Sequence, residues 1–342
     1  MAKYLIDDTT LTSIADAIRD KTGSSQGITP ESMATEITNM SSGDIEGPHI
    51  EETYDSSGNL IEAKMVGYTK IRDYMFYECR NLTLISLPSG ITSIGNYMFY
   101  ECRNLTLTSL PSGITSIGRN AFYDCSNLAL TSLPSRITAI EQYAFYNCSK
   151  LALTSLPSGI TRIEEETFDG CTNLALTSLP SGITSIKSFA FRGCHGLALT
   201  SLPSGITAIG QHAFYNCSKL ALTSLPSGIT SIGANAFAKC PNLALTSLPS
   251  GITRIENYTF TDCTKLETMR FHSGINEIKN YPFSGCTNLI EVTFEGTPTT
   301  ISSLAFYNCT NLTTINVPWS EGEVANAPWG ATNATINYNY TA

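Results

Sequence analysis

The placement of the eleven cysteines constrains this chain more than any other feature. They stand at Cys79, Cys102, Cys125, Cys148, Cys171, Cys194, Cys217, Cys240, Cys263, Cys286 and Cys309, and every gap is 23 residues. Self-similarity at so short a fixed period means that one unit cannot bury its own apolar face and must stack on its neighbours. The text between the cysteines repeats as well: residues 151–161, 174–184, 197–207, 220–230 and 243–253 all read LALTSLPSGIT. After Cys217 the apolar positions are Leu220, Leu222, Leu225, Ile229, Ile232 and Phe237. That pattern has neither a sustained helical period nor a long two-residue alternation, and it predicts one short strand, a bend and a short irregular return. Pro226 closes the strand segment, because a proline nitrogen cannot donate to a ladder of stacked strands. The same slot is proline in eight other repeats and breaks only at His272 and Glu295.

An odd number of cysteines in single file argues against disulfides. Neighbouring equivalents lie about 5 Å apart in a stack, within disulfide reach, but their Cβ vectors run parallel rather than towards each other. Zinc sites favour close pairs such as C-x₂-C, and the chain has none. The expectation is a buried, reduced ladder of thiols. With 342 residues, 42% of them apolar, the chain has ample material for a core. Charged residues make up 14%, the formal net charge is −9, and no Lys/Arg cluster occurs, which argues against nucleic acid or an anionic membrane as partner. No run of 18 apolar residues is present, so no membrane insertion is expected, and MAKYLIDDTTLTS lacks an apolar signal core.

The repeat of a Leu-rich segment ending in Pro, an Ile-x-x-Ile step and an Ala-Phe-x-x-Cys turn resembles the leucine-rich repeats of the BspA-like (treponemal) type, from about Ile71 to Pro318. The resemblance implies an α/β-class, right-handed leucine-rich-repeat solenoid of 23-residue repeats with a parallel sheet on its concave side. It also implies a bacterial surface or host-interaction role without enzymatic activity. One departure stands out. The family places an aliphatic residue six positions after the cysteine, as Met269, Val292 and Ile315 do here. The middle repeats invert this, with Leu107, Leu130, Leu153, Leu176, Leu199, Leu222 and Leu245 fifth and a threonine sixth. Either seven leucines form an exposed apolar stripe and seven threonines point into the core, or a bulge turns the leucines inward. A buried hydroxyl without a partner costs ~1–3 kcal/mol, and an exposed stripe of that length is the size of a partner site. Avoiding both costs favours inward leucines. The face then becomes hydroxyl-rich, with Thr154, Ser155, Thr177, Ser178, Thr200, Ser201, Thr223 and Ser224 as candidate ligand-facing residues.

Four segments are expected: a helical module over 1–43, a linker and capping hairpin over 44–70, the repeats over 71–318 and a C-terminal cap over 319–342. In the first, Thr9 or Thr10 can cap a helix with Leu11, Ile14, Ala15 and Ile18 on one face, and Thr29-Pro30-Glu31 opens a second. The text YLIDDTTLTSIADAIRDKTGSSQGITPESMATEI is similar to a short module at the start of phage and prophage tail and baseplate proteins of Gram-positive bacteria. The ending PWG-x-TNATI resembles the terminal piece of repeat proteins in the same group. Asp55-Ser56-Ser57-Gly58-Asn59 reads as a hairpin turn. Trp319 and Trp329, the only tryptophans, suit the cover of an exposed core end better than a carbohydrate platform.

The chain shows no Ser/His/Asp set, HExxH, P-loop or dinucleotide fingerprint. Its four histidines, His49, His195, His212 and His272, do not form a ligand set. No catalytic, cofactor-binding or metal-binding residue is assigned, and none of these roles is expected. The reading is a non-enzymatic binding module of a phage or prophage tail that contacts a protein or carbohydrate on a cell surface, made in the cytoplasm and carried on the virion. The alternatives are a bacterial cell-surface adhesin and an intracellular interaction scaffold.

Overall fold

The computed structural model describes residues 49–66, 68 and 72–341. Ile50–Ala342 forms one compact unit. The two helices expected within 1–43 lie outside the described residues.

The first strands make a hairpin, β1 (His49–Tyr54) and β2 (Leu60–Val66). Its turn is held by Asp55, whose carboxylate accepts from the Ser57 and Asn59 amides at 2.8 and 2.9 Å, while Gly58 takes the left-handed conformation at φ 80°. β2 hands over to the repeats by pairing in parallel with β3 (Leu84–Ser86).

From there the chain is a parallel β-solenoid of about eleven turns. One short strand recurs at the Ile-x-x-Ile step of each turn: β4 (Ser93–Ile94), β5 (Ser116–Ile117), β6 (Ala139–Ile140), β7 (Arg162–Ile163), β8 (Ser185–Ile186), β9 (Ala208–Ile209), β10 (Ser231–Ile232) and β11 (Arg254–Ile255). The last turns add a second strand each, so that β12 (Thr268–Phe271), β14 (Glu291–Phe294), β16 (Thr314–Asn316) and β17 (Thr335–Asn337) alternate with β13 (Glu277–Ile278) and β15 (Thr300–Ile301). The pairings among β4 to β16 keep a register of one repeat, as in Ile209↔Ile186 and Val292↔Met269, whereas β17 joins β16 with Ile336 opposite Ile315, 21 residues on. The second residue of each short strand is a buried isoleucine, so the strands position the core as well as joining the turns.

This corrects the expected sheet. The Leu-bearing segment was read as the strand of every repeat, yet it is a strand only in β3 and at the C-terminal end. The physical reason is the order of side chains. In Thr268–Phe271 exposure alternates, Met269 and Phe271 in, Thr268 and Arg270 out, as a pleated strand requires. In the middle repeats Leu176 and Leu179 are buried while Thr177 and Ser178 between them are both exposed. Two successive outward side chains break the pleat, and a single rung per repeat survives there, such as the Ala175 amide to the Leu153 carbonyl at 3.0 Å.

The core is built of columns. Phe76, Phe99, Phe122, Phe145, Phe168, Phe191, Phe214, Phe237, Phe260, Phe283 and Phe306 stack with centroids 5.3–5.7 Å apart. All eleven cysteines are free thiols, ten of them buried and Cys79 partly so. From Cys102 onward each thiol donates to a phenylalanine carbonyl of the preceding repeat at 2.9–3.2 Å, as Cys194 does to Phe168 at 3.0 Å. Burial pushes these thiols up, Cys79 to about 11 and Cys240 to about 12. The return before each cysteine turns through left-handed residues such as His212 (φ 53°) and Asn216 (φ 60°). That conformation costs on the order of 1 kcal/mol for a non-glycine residue. It also aims the two amides at Ala234 and Ala238 of the next turn, at 3.0 and 2.8 Å.

Trp319 and Trp329 close the far end. They meet edge to face at 6.2 Å, Trp329 is fully buried, and its Nε1 donates to the Ala325 carbonyl at 2.8 Å. Their burial fits the capping role and leaves no ring face for a carbohydrate.

Candidate ligand-binding face

The sequence left the direction of the middle leucines open between two registers. Leu130, Leu153, Leu176, Leu199 and Leu222 are fully buried and Leu245 is 1% exposed, so the inward register holds. Thr154, Ser155, Thr177, Ser178, Thr200, Ser201, Thr223 and Ser224 are all exposed. They form two adjacent rows of hydroxyls running along the solenoid. Among the described residues, none of these eight side chains makes a hydrogen bond within the chain.

In the other threonine row only half of the hydroxyls are left free. Thr115, Thr184 and Thr230 sit at the Ile-x-x-Ile step, and each donates its hydroxyl to the threonine carbonyl one repeat earlier, at 3.0, 3.3 and 3.3 Å. Those hydroxyls are spent on the fold. The rows at the bend are unpaired, and so are the peptide groups between them, since no rung joins Thr177 and Ser178 to their equivalents. Water satisfies them in the free protein, and a ligand with matching donors and acceptors can replace that water.

The rows are also uncharged. Residues 151–159, 174–182, 197–205, 220–228 and 243–251 read LALTSLPSG without an ionisable side chain. Towards the C-terminus the character changes. Arg270 pairs with Glu295, Asn316 donates to Glu291 at 2.6 Å, and Asn337 donates to Asn316 at 2.8 Å. There the polar groups satisfy one another.

Two features escaped the reading of the sequence. At the other end of the rows, where β3 meets the second repeat, a hollow of about 450 Å³ opens between Ile85, Leu87, Leu107 and the hydroxyls beyond them. Its signal was present as the change from Leu84-Ile85 to Leu107-Thr108 at the same slot. On the return segments, Tyr77, Tyr100, Tyr123 and Tyr146 stack with centroids 4.9, 4.7 and 4.4 Å apart. Burial, then the phenols of Tyr146 and Tyr100, push Tyr123 up to about 12, so its hydroxyl stays protonated at neutral pH. Beside them Arg80 bridges to Glu101 at 2.8 Å and Arg103 to Asp124 at 2.7 Å. The faces of the stacked rings are covered by their neighbours, which leaves edges and hydroxyls to solvent.

Among the described residues no group of three His, Cys, Asp or Glu side chains could hold a metal ion, and no helix is long and apolar enough to cross a membrane. Stacked turns with a buried Leu/Ile/Phe/Cys core define a leucine-rich-repeat solenoid. The profile of the BspA type leucine rich repeat region matches in six copies, over residues 69–198, 150–263 and 207–327, and the chain belongs to that family. Among solved structures, a leucine-rich repeat protein from Bacteroides ovatus is similar over 86% of this chain and 98% of its own, at 19% identity and TM-score 0.52. A leucine rich cell surface protein from Faecalibacterium prausnitzii matches over 80% and 95% at 24% identity, TM-score 0.46. One from Eubacterium ventriosum matches over 78% and 76% at 22% identity, TM-score 0.49. At these identities the likeness concerns the fold. No curated protein sequence matches the chain.

Proposed function

We propose that this protein is a non-enzymatic binding module whose hydroxyl rows, Thr154-Ser155 through Thr223-Ser224, contact a ligand on a bacterial surface. The observation that carries this is the set of eight exposed, unpaired hydroxyls repeated in an uncharged frame. In the neighbouring threonine row, by comparison, four of the eight hydroxyls, those of Thr115, Thr138, Thr184 and Thr230, are donated to the fold. The finer assignment is a tail-associated protein of a phage or prophage. It is supported by the resemblance of the two chain ends to that group. Membership of the BspA type family favours a second setting for the same face, display on a bacterial cell as an adhesin.

The test is binding of the purified chain to intact Gram-positive cells and to their isolated walls. Thr177→Lys, Thr200→Lys and Thr223→Lys, singly and together, place charge in the rows without touching the core. Binding should fall with each substitution and vanish in the triple variant. Because the face is uncharged, wild-type binding should change little between 50 and 500 mM salt, unlike a charge-driven association. Undiminished binding by the triple variant would remove the rows from the ligand site. Tail and lysis genes beside the coding sequence would support the phage setting over the adhesin.

A further inference from the structure

We propose that the hollow at the junction of the first and second repeats is a pocket for one neutral sugar residue, the end group of a glycan whose following residues run along the hydroxyl rows. The proposal rests on the reading of the rows as a ligand face and names its ligand class. The hollow follows from a mismatch of registers. In the first repeat β3 keeps the pleated register and pairs with β2, whereas the second repeat already has the bent register of the middle turns. The two segments therefore part after a single backbone rung, the Thr106 amide to the Thr83 carbonyl at 3.0 Å. Ile85, Leu87 and Leu107 are left half-buried, although five of the six later equivalents of Leu107 are fully buried.

The lining matches the chemistry of a pyranose. The apolar floor of Ile85, Leu87 and Leu107 suits the C–H faces of a sugar ring, and Ser89, Thr108 and Ser109 on the rim carry free hydroxyls for its equatorial groups. The peptide groups of residues 107–110 make no hydrogen bond within the chain, which adds a second set of donors and acceptors. None of the ten lining residues is ionisable, so an anionic or cationic ligand would find no counter-charge. The volume of about 450 Å³ lies within the range of ~300–1,000 Å³ usual for small-molecule sites. Capture of an extended peptide by strand addition needs a long open edge, and β3 has three residues. Thr108 and Ser109 head the rows that continue through Thr131-Ser132 to Thr154-Ser155, so a chain leaving the hollow meets the face directly.

The experiment uses the full chain with methyl glycosides of neutral hexoses and N-acetylhexosamines, and with their tetrasaccharides, by saturation-transfer NMR and titration calorimetry. Leu107→Phe fills the hollow, Thr108→Val removes one hydroxyl at constant shape, and Thr200→Lys alters the rows more than three repeats away. The expected result is weak binding of at least one monosaccharide glycoside. It should be lost with Leu107→Phe, fall about tenfold with Thr108→Val and stand unchanged with Thr200→Lys. The matching tetrasaccharide should be weakened by all three. Should Leu107→Phe fail to fold, Thr108→Val at an exposed position carries the test. Two results would overturn the hollow: no monosaccharide binding, or binding indifferent to both hollow variants. Loss of tetrasaccharide binding with Thr200→Lys only would keep the rows and discard the hollow. Sensitivity to the hollow variants only would keep the hollow and discard the rows.

Discussion

Replacing Leu176 by alanine is the sharpest probe of how these repeats are built. Leu176 is fully buried between Leu153 and Leu199, themselves fully buried, in a column that cannot collapse without moving both neighbouring turns. Truncation removes apolar contact and leaves a cavity, for which Leu→Ala costs ~2–5 kcal/mol. Thr177, one residue on, is exposed and unpaired, so Thr177→Ala should cost less than about 0.5 kcal/mol. The contrast of at least about 1.5 kcal/mol between adjacent positions is readable in urea unfolding followed by circular dichroism. In a domain of this size it corresponds to a melting shift of roughly 2–3 °C. The double exchange Leu176→Thr with Thr177→Leu sharpens the test. It either places a hydroxyl in the core at ~1–3 kcal/mol or drives the segment into the pleated register of Thr268–Phe271. The reasoning fails if Thr177→Ala destabilises as much as Leu176→Ala, because the leucine would then not be the residue that holds the turn.

Thiol titration of the native protein at pH 8 should find Cys79 first and little else, rising to eleven groups in denaturant; several intact disulfides by mass spectrometry would contradict the free-thiol core. Burial holds these thiols above their usual 9.0, at about 11 for Cys79 and about 12 for Cys240 and Cys309. Their contribution is therefore whole below the unfolded value and is lost as pH rises through the folded ones, so the melting temperature should fall between about pH 9 and 12. Arg192→Ala should cost about 1.5–3 kcal/mol, since it strips a two-oxygen partner from Asp169, whose side chain is 5% exposed. Arg103→Ala, which breaks ion pairs from a side chain 52% exposed, should cost about 0–1 kcal/mol by the same melting assay. Trp329→Ala should destabilise by ~3–5 kcal/mol, and native tryptophan fluorescence should resist acrylamide quenching, as two buried indoles require.

Much of this was legible in the residues because a strict repeat converts sequence position into spatial position. Cys194 lies one turn beyond Cys171, and Phe191 beyond Phe168, wherever the turns fold, so stacking and the reduced ladder follow from the spacing. A covering role for Trp319 and Trp329 was likewise readable, since an apolar column must end under something large, but their edge-to-face contact was not. The position of the strands was not. Leu-Ala-Leu-Thr-Ser-Leu contains a plausible strand, and only the simultaneous burial of Leu174, Leu176 and Leu179 shows that the chain must bend at Thr177 and Ser178 to satisfy all three. The Ile-x-x-Ile step, read as part of the return, carries the regular parallel pairing instead.

The candidate site divides in the same way. Period, core composition, free thiols and a hydroxyl-bearing slot belong to the sequence, because each depends on residue type at a fixed interval. Which individual threonine hydroxyls are taken up by the fold depends on tertiary structure: Thr184 donates to the Thr161 carbonyl one turn below, while Thr177 meets no partner. The hollow beside Leu107 is likewise a product of stacking, since neither the pleated first repeat nor the bent second one contains it alone. A repeat specifies its own side chains, but a mismatch exists only between two of them, in the space where one turn rests on the next.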